Sequence, residues 1–228
     1  MCGRFNATFE SGVRKLYTSL KINTVIDKPI DKRFVKAADV VSIVRDVDSR
    51  RQVENALWWL LLEQTEQGFK PSKYTSFNTR FDKLHSQGSA GYQAYRQSRC
   101  LIVVKGFGET EFVNKRPVHY YDMSAKTGGL ILGGLYREWW HHKTGEHKLS
   151  CSVITLPPHP KLTHIHSKAM PLILSQDINL INHWLSPQIT DVSRFQSLLT
   201  PNIPQALIAQ KIDKPSSYQS IGKQEEIF

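Results

Sequence analysis

The 228-residue chain has few cysteines and no long apolar segment. Its three cysteines, Cys2, Cys100 and Cys151, lie far apart and form no CxxC pair, which argues against a disulfide framework and a zinc knuckle. The longest apolar run, residues 56–62, is far too short to span a bilayer. The N-terminus also lacks the basic and apolar regions of a signal peptide. These absences predict a protein of the reducing cytoplasm that contacts no membrane.

The chain has fewer acidic than basic residues. The chain has 30 Lys+Arg against 20 Asp+Glu, a net charge of +10 and a pI near 9.5. Residues 1–120 hold 20 basic and 12 acidic side chains (+8), whereas residues 121–228 hold 10 and 8 (+2). Such an excess indicates a polyanionic partner. If that partner is nucleic acid, the first half of the chain should supply most phosphate contacts.

Short apolar, β-branched segments recur along the chain. They predict strands at residues 40–44, 56–62, 100–104, 129–135, 151–156 and 171–174. Helical spacing of apolar residues predicts helices at 8–20, 89–98, 177–185 and 191–199, the last two each opening on a capping aspartate. No repeat or long linker divides the chain. We therefore expect one α+β domain over residues 1–228, with a loosely ordered tail after about residue 213.

Cys2 occupies a position with special reactivity. The initiator Met is normally removed before a small residue, which would leave Cys2 with an α-amine and a thiol on adjacent carbons. The α-amine has a reference pKa of about 7.7–8.0, against about 10.4 for a lysine amine, so it is the best candidate for attack on a carbonyl. With an aldehyde it would form a Schiff base, which the thiolate could close into a thiazolidine ring.

Five short motifs follow one another along the chain. They are MCGRF at residues 1–5, FNTRFD at 77–82, RCLI with GFGE at 99–109, GLY with a downstream Trp at 134–139, and IHSKAMP at 165–171. Together they resemble the SRAP family (SOS response-associated peptidase), whose members cap abasic sites in single-stranded DNA through an N-terminal Cys. The resemblance extends from residue 2 to about 213. It implies a mostly antiparallel, barrel-like β body with peripheral helices.

The chain departs from the family pattern at several positions. Residues 33–38 lack the Asn and Pro of the family's R-Y-N-x-A-P segment, and no P-x-W-W loop follows residues 58–62. Thr110 stands in place of the Trp after the Gly-Phe-x-Glu motif, and Ala169 replaces the Arg before Met-Pro. The chain is thus identified as a divergent member. The differences concern the expected DNA-contacting surface more than the reactive centre.

The resemblance implies catalytic roles for Cys2, Asn78, Glu109 and His166. Asn78 would hydrogen-bond the opened sugar or the Cys2 amine. Glu109 would carry protons during imine formation, and His166 would exchange a proton with the opened sugar oxygen, which suits a group that titrates near neutrality. The same imine implies lyase-type activity and reversal of the crosslink. The family's name implies autopeptidase removal of Met1.

Cationic and aromatic side chains are candidates for contacts to single-stranded DNA. A guanidinium grips phosphate oxygens bidentately, lysines can form an electrostatic track, and aromatic rings can stack on bases. Aromatics in an apolar run usually belong to the core, so at least one of Trp58 and Trp59 is expected there. The candidates are Arg4, Arg80, Lys70, Lys73, Lys83, Trp58 and Phe69.

A histidine-rich stretch, HHKTGEH at residues 141–147, has no recognised metal-ligand spacing. We interpret it as a hairpin turn between strands. No metal or other cofactor is expected for this chain.

The leading hypothesis is a monomeric sensor of abasic sites in single-stranded DNA that forms a thiazolidine crosslink through Cys2. Two alternatives stay open. In an N-terminal-nucleophile hydrolase, Cys2 would attack an amide with its own α-amine as base. A non-catalytic module would bind damaged or modified DNA whatever residue stood at position 2. The sequence does not identify a protein partner, the replication machinery included.

Overall fold

The computed structural model of the chain describes residues 3–228, and strands make up most of the regular structure. In chain order the strands are β1 (Arg4–Ala7), β2 (Thr24–Val25), β3 (Lys32–Lys36), β4 (Val40–Val47), β5 (Arg50–Leu57), β6 (Leu62–Gln64), β7 (Phe69–Pro71), β8 (Asn78–Arg80), β9 (Arg99–Val104), β10 (Gly106–Val113), β11 (Arg116–Ala125), β12 (Leu130–Trp140), β13 (His147–Leu156), β14 (Met170–Pro171), β15 (Ile173–Leu174), β16 (Leu207–Ile212) and β17 (Glu225–Ile227). The α-helices are α1 (Ser11–Ser19), α2 (Tyr92–Gln97) and α3 (Ile178–Leu185), and 3₁₀ segments occupy Phe81–Lys83, Pro160–Leu162 and Val192–Leu199.

Two large sheets form the β body. One has the strand order β17-β16-β11-β10-β1-β3, and the other has the order β14-β13-β12-β9-β4-β5-β2. Most neighbouring strands are antiparallel, whereas β2 runs parallel to β5, and β13 runs parallel to both β5 and β8. Every residue of β9 is buried, and one hydrophobic cluster contains residues of both sheets. The prediction of an α+β fold with a mostly antiparallel, barrel-like β body and few peripheral helices is confirmed.

The helices bury one face each against this body. In α1 the buried residues Val13, Leu16 and Tyr17 recur at helical spacing, as the sequence predicts. Helix α3 begins after Asp177, whose carboxylate accepts the backbone N–H of Asn179 at 2.8 Å and caps the first turn. Within residues 3–228, no helix has the length and apolar character that a bilayer crossing needs.

Two predicted elements differ in the structure. The strand expected at residues 56–62 ends at Leu57. The Trp58 N–H still donates to the Asp39 carbonyl next to β4, but the Leu60 N–H pairs with the Ser76 carbonyl instead. The apolar character of this run reflects burial in the core. The helix expected at residues 191–199 is a 3₁₀ helix, and apolar spacing of three and four residues does not distinguish the two forms.

The segment after residue 213 is more regular than the sequence predicts. Strand β17 pairs with β16, with Leu207 opposite Ile227. Ile227 is buried in the core, and Ser220 forms an isolated bridge with Ile212. The tail therefore extends the smaller sheet at its edge.

Arg99 ties together the C-terminal ends of α2 and α3. Its buried guanidinium donates at 2.6–2.9 Å to backbone carbonyls of both helices and of the segment that follows α3. A cation at a helix C-terminus is favourable because the exposed carbonyls carry partial negative charge. Burial lowers the pKa of Arg99 to about 10, so it remains charged at neutral pH. The five carbonyls belong to Tyr95, Arg96, Trp184, Ser186 and Ile189.

Three strands and one loop bring the predicted site residues to the same region. Strand β1 lies between β10 and β3, with Arg4 opposite Gly108. Strand β8 places Asn78 opposite Val153 of β13. The loop between β13 and β14 carries His166, whose backbone N–H is held by the Leu162 carbonyl at 2.9 Å.

Candidate active site

Glu109 and His166, two of the residues predicted to be catalytic, face each other. Glu109 Oε2 lies 3.7 Å from His166 Nε2, and the two side chains are only 1% and 4% exposed, respectively. Glu109 stands in the middle of β10, whereas His166 comes from the loop between β13 and β14. A carboxylate and an imidazole this close can exchange a proton with a group placed beside them.

A pocket of about 330 Å³ opens beside this pair. Gly3 lines it, and Gly3 directly follows Cys2 in the chain. Cys2 itself lies outside the described residues, so its predicted role stays a prediction. The pocket brings a largely apolar wall, an imidazole and two cations to one place. Its lining consists of Gly3, Arg4, Phe77, Gly108, Thr110, Phe112, His166 and Lys168.

Glu111 is a site residue that the sequence analysis missed. Its Oε2 lies 2.9 Å from His166 Nδ1, on the side of the ring opposite to Glu109. It also accepts hydrogen bonds from the Ser167 backbone N–H at 3.0 Å and from the Ser167 hydroxyl at 2.6 Å. Residues i and i+2 of a strand share a face. Because the sequence predicts no strand at residues 106–113, this relation to Glu109 is seen only in the structure.

The imidazole of His166 is neutral at physiological pH. Burial lowers the pKa of His166 to about 4 and Lys168 acts in the same direction, while the Glu111 carboxylate opposes them. Burial also disfavours ionisation of Glu111, but hydrogen bonds from Ser167 and the proximity of His166 outweigh it and hold the Glu111 pKa below its ordinary value. The result is an anionic Glu111 beside an uncharged ring.

Asn78 lies on the wall of a second, larger pocket of about 480 Å³. The two pockets are neighbours, since Phe77 lines the smaller one and Asn78 the larger one. Arg80 and Lys83 also line the larger pocket, and both are exposed. Arg80 forms a surface ion pair with Asp82 at 2.8 Å, which an incoming phosphate could replace at small cost.

Arg4 holds the backbone of the strand that carries Glu109. Its Nη2 donates to the backbone carbonyls of Glu109 at 3.0 Å and Tyr121 at 3.4 Å, and its guanidinium lies over the Phe34 ring. A Cβ atom at position 108 would lie 2.8 Å from Arg4 Nε, so Gly108 is required for this close approach. Arg4 thereby fixes the strand that carries Glu109. Its predicted phosphate contact stays a prediction.

Trp58 belongs to the core. Its side chain is fully buried, its ring stacks on Phe5 at 3.8 Å between centroids, and its Nε1 donates to the Phe77 carbonyl at 2.8 Å. The prediction that Trp58 contacts DNA is therefore wrong, because no base can reach the ring. The neighbouring Trp59 is half-buried and packs against Phe77.

The other predicted DNA contacts lie on or near the surface. Phe69 is half-buried against Trp139 and His141. Lys70 is exposed and lies 3.8 Å from a Glu63 oxygen, and Lys73 is also exposed. Their contacts with DNA stay predictions.

The histidine-rich stretch forms the turn between β12 and β13. Nδ1 of the buried His141 accepts the backbone N–H groups of Lys143 and Thr144, and its Nε2 then donates to the Thr65 carbonyl at 2.8 Å. His141 thus has a structural role that explains its burial.

Cys100 and Cys151 are both buried free thiols. Burial raises the pKa of both thiols well above the ordinary value, which suppresses the reactive thiolate form. Neither is placed to act as a nucleophile.

Comparison with known proteins gives consistent matches. The family model described as SOS response associated peptidase (SRAP) matches residues 1–215. The abasic site processing protein YoqW of Bacillus subtilis (strain 168) is 27% identical over 205 residues, which cover 88% of this chain and 87% of that protein. The abasic site processing protein HMCES of Xenopus tropicalis is 28% identical over 160 residues, which cover 62% of this chain and 47% of that protein.

Solved structures share the fold. A protein from Bacteroides thetaiotaomicron superposes with a TM-score of 0.72 at 18% identity, covering 95% of this chain and 97% of its own. A protein from Bordetella bronchiseptica gives a TM-score of 0.69 at 15% identity, covering 93% of this chain and 100% of its own. At these identities the likeness concerns the fold alone.

Proposed function

The chain belongs to the SOS response associated peptidase family, and from this premise we propose that it processes abasic sites in DNA. We propose further that it captures the lesion in single-stranded DNA covalently, through Cys2. The observation that carries the proposal is the buried Glu109–His166 pair, 3.7 Å apart, beside a pocket that Gly3 lines. The names of the curated relatives, abasic site processing proteins, support the substrate class.

The proposed reaction begins once removal of Met1 has freed the Cys2 amine. The amine attacks the aldehyde carbon of the opened sugar and gives a carbinolamine, which loses water to form a Schiff base. The Cys2 thiolate then adds to the imine carbon, and the imine nitrogen takes up a proton. The product is a five-membered thiazolidine that joins the protein to the sugar. The step needs no oxidant, reductant or metal.

Glu109 and His166 are suited to the proton transfers of this sequence. Glu109 would accept a proton from the attacking amine and return it to the hydroxyl that leaves as water. His166 is uncharged at neutral pH, so it starts as a proton acceptor and would serve the sugar hydroxyl during ring opening. Asn78, on the adjoining wall, would orient the opened sugar.

The same Schiff base accounts for the proposed lyase activity. Removal of a proton from the sugar carbon next to the imine allows the 3′ phosphate to leave with the electron pair of its C–O bond. Thiazolidine closure competes with this elimination, because it removes the imine. The lyase product should therefore be a minor one.

The larger pocket and its cations would hold the strand on either side of the lesion. Arg80 and Lys83 stand on its rim, and both can reach phosphate oxygens from an exposed position. Such contacts carry no sequence information, so binding should be indifferent to sequence and weaken as salt increases.

The test is incubation of the full chain with a single-stranded oligonucleotide that contains one abasic site, followed by a denaturing gel. We expect a shifted, covalent band whose mass equals protein without Met1 plus DNA minus one water. Cys2→Ala should abolish the band, and Cys2→Ser should leave only an imine that borohydride can trap. Glu109→Gln and His166→Gln should slow formation of the band, each by about tenfold or more.

Matched controls come from an exposed His–Glu pair that does not line the pocket. His164 Nε2 and Glu225 Oε2 lie 2.8 Å apart and are about half exposed, so His164→Gln and Glu225→Gln change the same residue types away from the pocket. Both should crosslink at the wild-type rate. No covalent band with wild type would refute the proposed function, and amide turnover without a band would favour an N-terminal-nucleophile hydrolase.

A further inference from the structure

Glu111 contacts the His166 ring on the side that faces away from Glu109. One Glu111 oxygen, Oε2, lies 2.9 Å from His166 Nδ1 and accepts the Ser167 backbone N–H, while Oε1 accepts the Ser167 hydroxyl. The Glu111 side chain is only 13% exposed. A glutamate held this closely has little freedom to leave the ring, so the contact is a fixed part of the site.

The charge of Glu111 favours one position for the ring proton, because its Oε2 lies 2.9 Å from His166 Nδ1 and a carboxylate this close attracts an N–H group. A neutral imidazole has one N–H and one bare nitrogen. With Glu111 ionised, the proton is more stable on Nδ1. The lone pair is then on Nε2, the nitrogen that lies 3.7 Å from Glu109.

We propose that Glu111 is a positioning residue of the reactive centre, which holds His166 in the Nδ1–H form so that Nε2 is the basic atom. In ring opening of the lesion, the proton of the sugar's anomeric hydroxyl passes to Nε2 and the carbon–oxygen bond of the ring breaks. Its electron pair stays on the former ring oxygen, which takes the proton back from the imidazolium. The aldehyde that Cys2 needs is the product. This catalytic role rests on the proposed function, whereas the tautomer does not.

Charges of both signs surround the His166 ring. Glu109 and Glu111 approach from β10, Lys168 comes from the ring's own loop, and Arg4 lines the same pocket from β1. Glu111 is the carboxylate in closest contact with the ring, so it contributes most to stabilising the positive charge that forms on proton uptake. Replacing the carboxylate by an amide removes this stabilisation and also the preference for Nδ1–H.

A purely structural role for Glu111 makes a different prediction. If Glu111 only held the turn at residues 166–167 through Ser167, then Ser167→Ala would impair the site as much as Glu111→Gln. If Glu111 acts through the ring, then Ser167→Ala should crosslink within about twofold of wild type and Glu111→Gln should be slower by about tenfold or more. Glu225→Gln, which alters an exposed His–Glu pair, is the matched control and should have no effect.

The direct experiment is nitrogen NMR of the full-length wild-type protein labelled in its histidine rings, with His166→Gln used to assign the signals. We expect His166 to be neutral at pH 7 with the proton on Nδ1, and Glu111→Gln to lose this single form. A proton on Nε2 in wild type would overturn the inference, even if crosslinking is strong. If wild type forms no crosslink, the NMR result still decides the role of Glu111, so the two proposals fail separately.

The crosslinking rate and the DNA affinity of Glu111→Gln distinguish a positioning role of Glu111 from a role in DNA binding. Glu111→Gln should lower the crosslinking rate at saturating oligonucleotide and leave the affinity for undamaged single-stranded DNA unchanged, as read by fluorescence anisotropy. Equal rates for Glu111→Gln and wild type would refute the inference. Should Glu111→Gln fail to fold, the wild-type tautomer stands alone as the decisive measurement.

Discussion

Burial of a neutral imidazole at His166 predicts a specific loss of stability in acid. The ring has a pKa of about 4 in the folded chain, against an ordinary value of 6.5. Above about pH 6.5 it is neutral in both states and adds no pH dependence. Between those pKa values the unfolded chain takes up a proton that the folded chain excludes, so the free energy of unfolding falls as pH falls.

The magnitude follows from the two pKa values. Their difference corresponds to about 3 kcal/mol, at about 1.36 kcal/mol for each pKa unit. About 2 kcal/mol of this should already be lost at pH 5, and the full amount below pH 4. His166 is almost entirely buried, so solvent screening reduces the figure little.

The measurement is urea unfolding of wild type and His166→Gln at several pH values between 4.5 and 8. From pH 7.5 to pH 5 the unfolding free energy of wild type should fall by about 2 kcal/mol relative to that of His166→Gln, because the variant has no ring at this position to protonate. The control is His164→Gln, which removes an exposed histidine and should follow wild type. Parallel curves for wild type and His166→Gln would refute the assignment of a buried, neutral ring.

Four further outcomes can be measured. Gly108→Ala should lower the free energy of unfolding by about 1–3 kcal/mol in urea, because the added Cβ displaces the Arg4 guanidinium from the Glu109 carbonyl, and unchanged stability would contradict the close approach. Arg80→Ala should weaken binding of all single-stranded sequences, measured by fluorescence anisotropy, and reduce the slope of log affinity against log salt concentration by about one. Trp58→Phe should lower the free energy of unfolding and leave the DNA affinity in the same assay unchanged, because Trp58 is buried in the core. The two buried thiols described above should resist iodoacetamide at pH 8 until the chain is unfolded, and rapid native-state alkylation, located by peptide mass, would disprove their burial.

Much of the candidate active site could be predicted from sequence, because its residues lie in short motifs. Glu109 lies in GFGE and His166 in IHSKAMP, and the structure brings these two side chains together from distant parts of the chain. Glu111 was missed because no motif contains it. Its role depends on a loop folding back onto β10, and a linear pattern does not record that contact.

Trp58 and the C-terminal strand differ from their predictions for a common physical reason. Trp58 lies in an apolar run without periodicity, which predicts that at least one of Trp58 and Trp59 is in the core but does not tell which one until the surrounding strands are known. Ile227 closes a strand near the end of the chain, and one buried residue in a polar tail is too weak a signal to predict pairing with β16. In both cases a tertiary neighbour decides the outcome.

The contacts of Arg99 with both helix ends affect how the helices unfold locally. One guanidinium caps the last turns of α2 and α3, so fraying of either helix releases the side chain that also caps the other. Amide hydrogens at both helix ends should therefore exchange with solvent as one cooperative unit, although eighty residues separate the helices in sequence. Motion at these two ends is coupled by a single side chain.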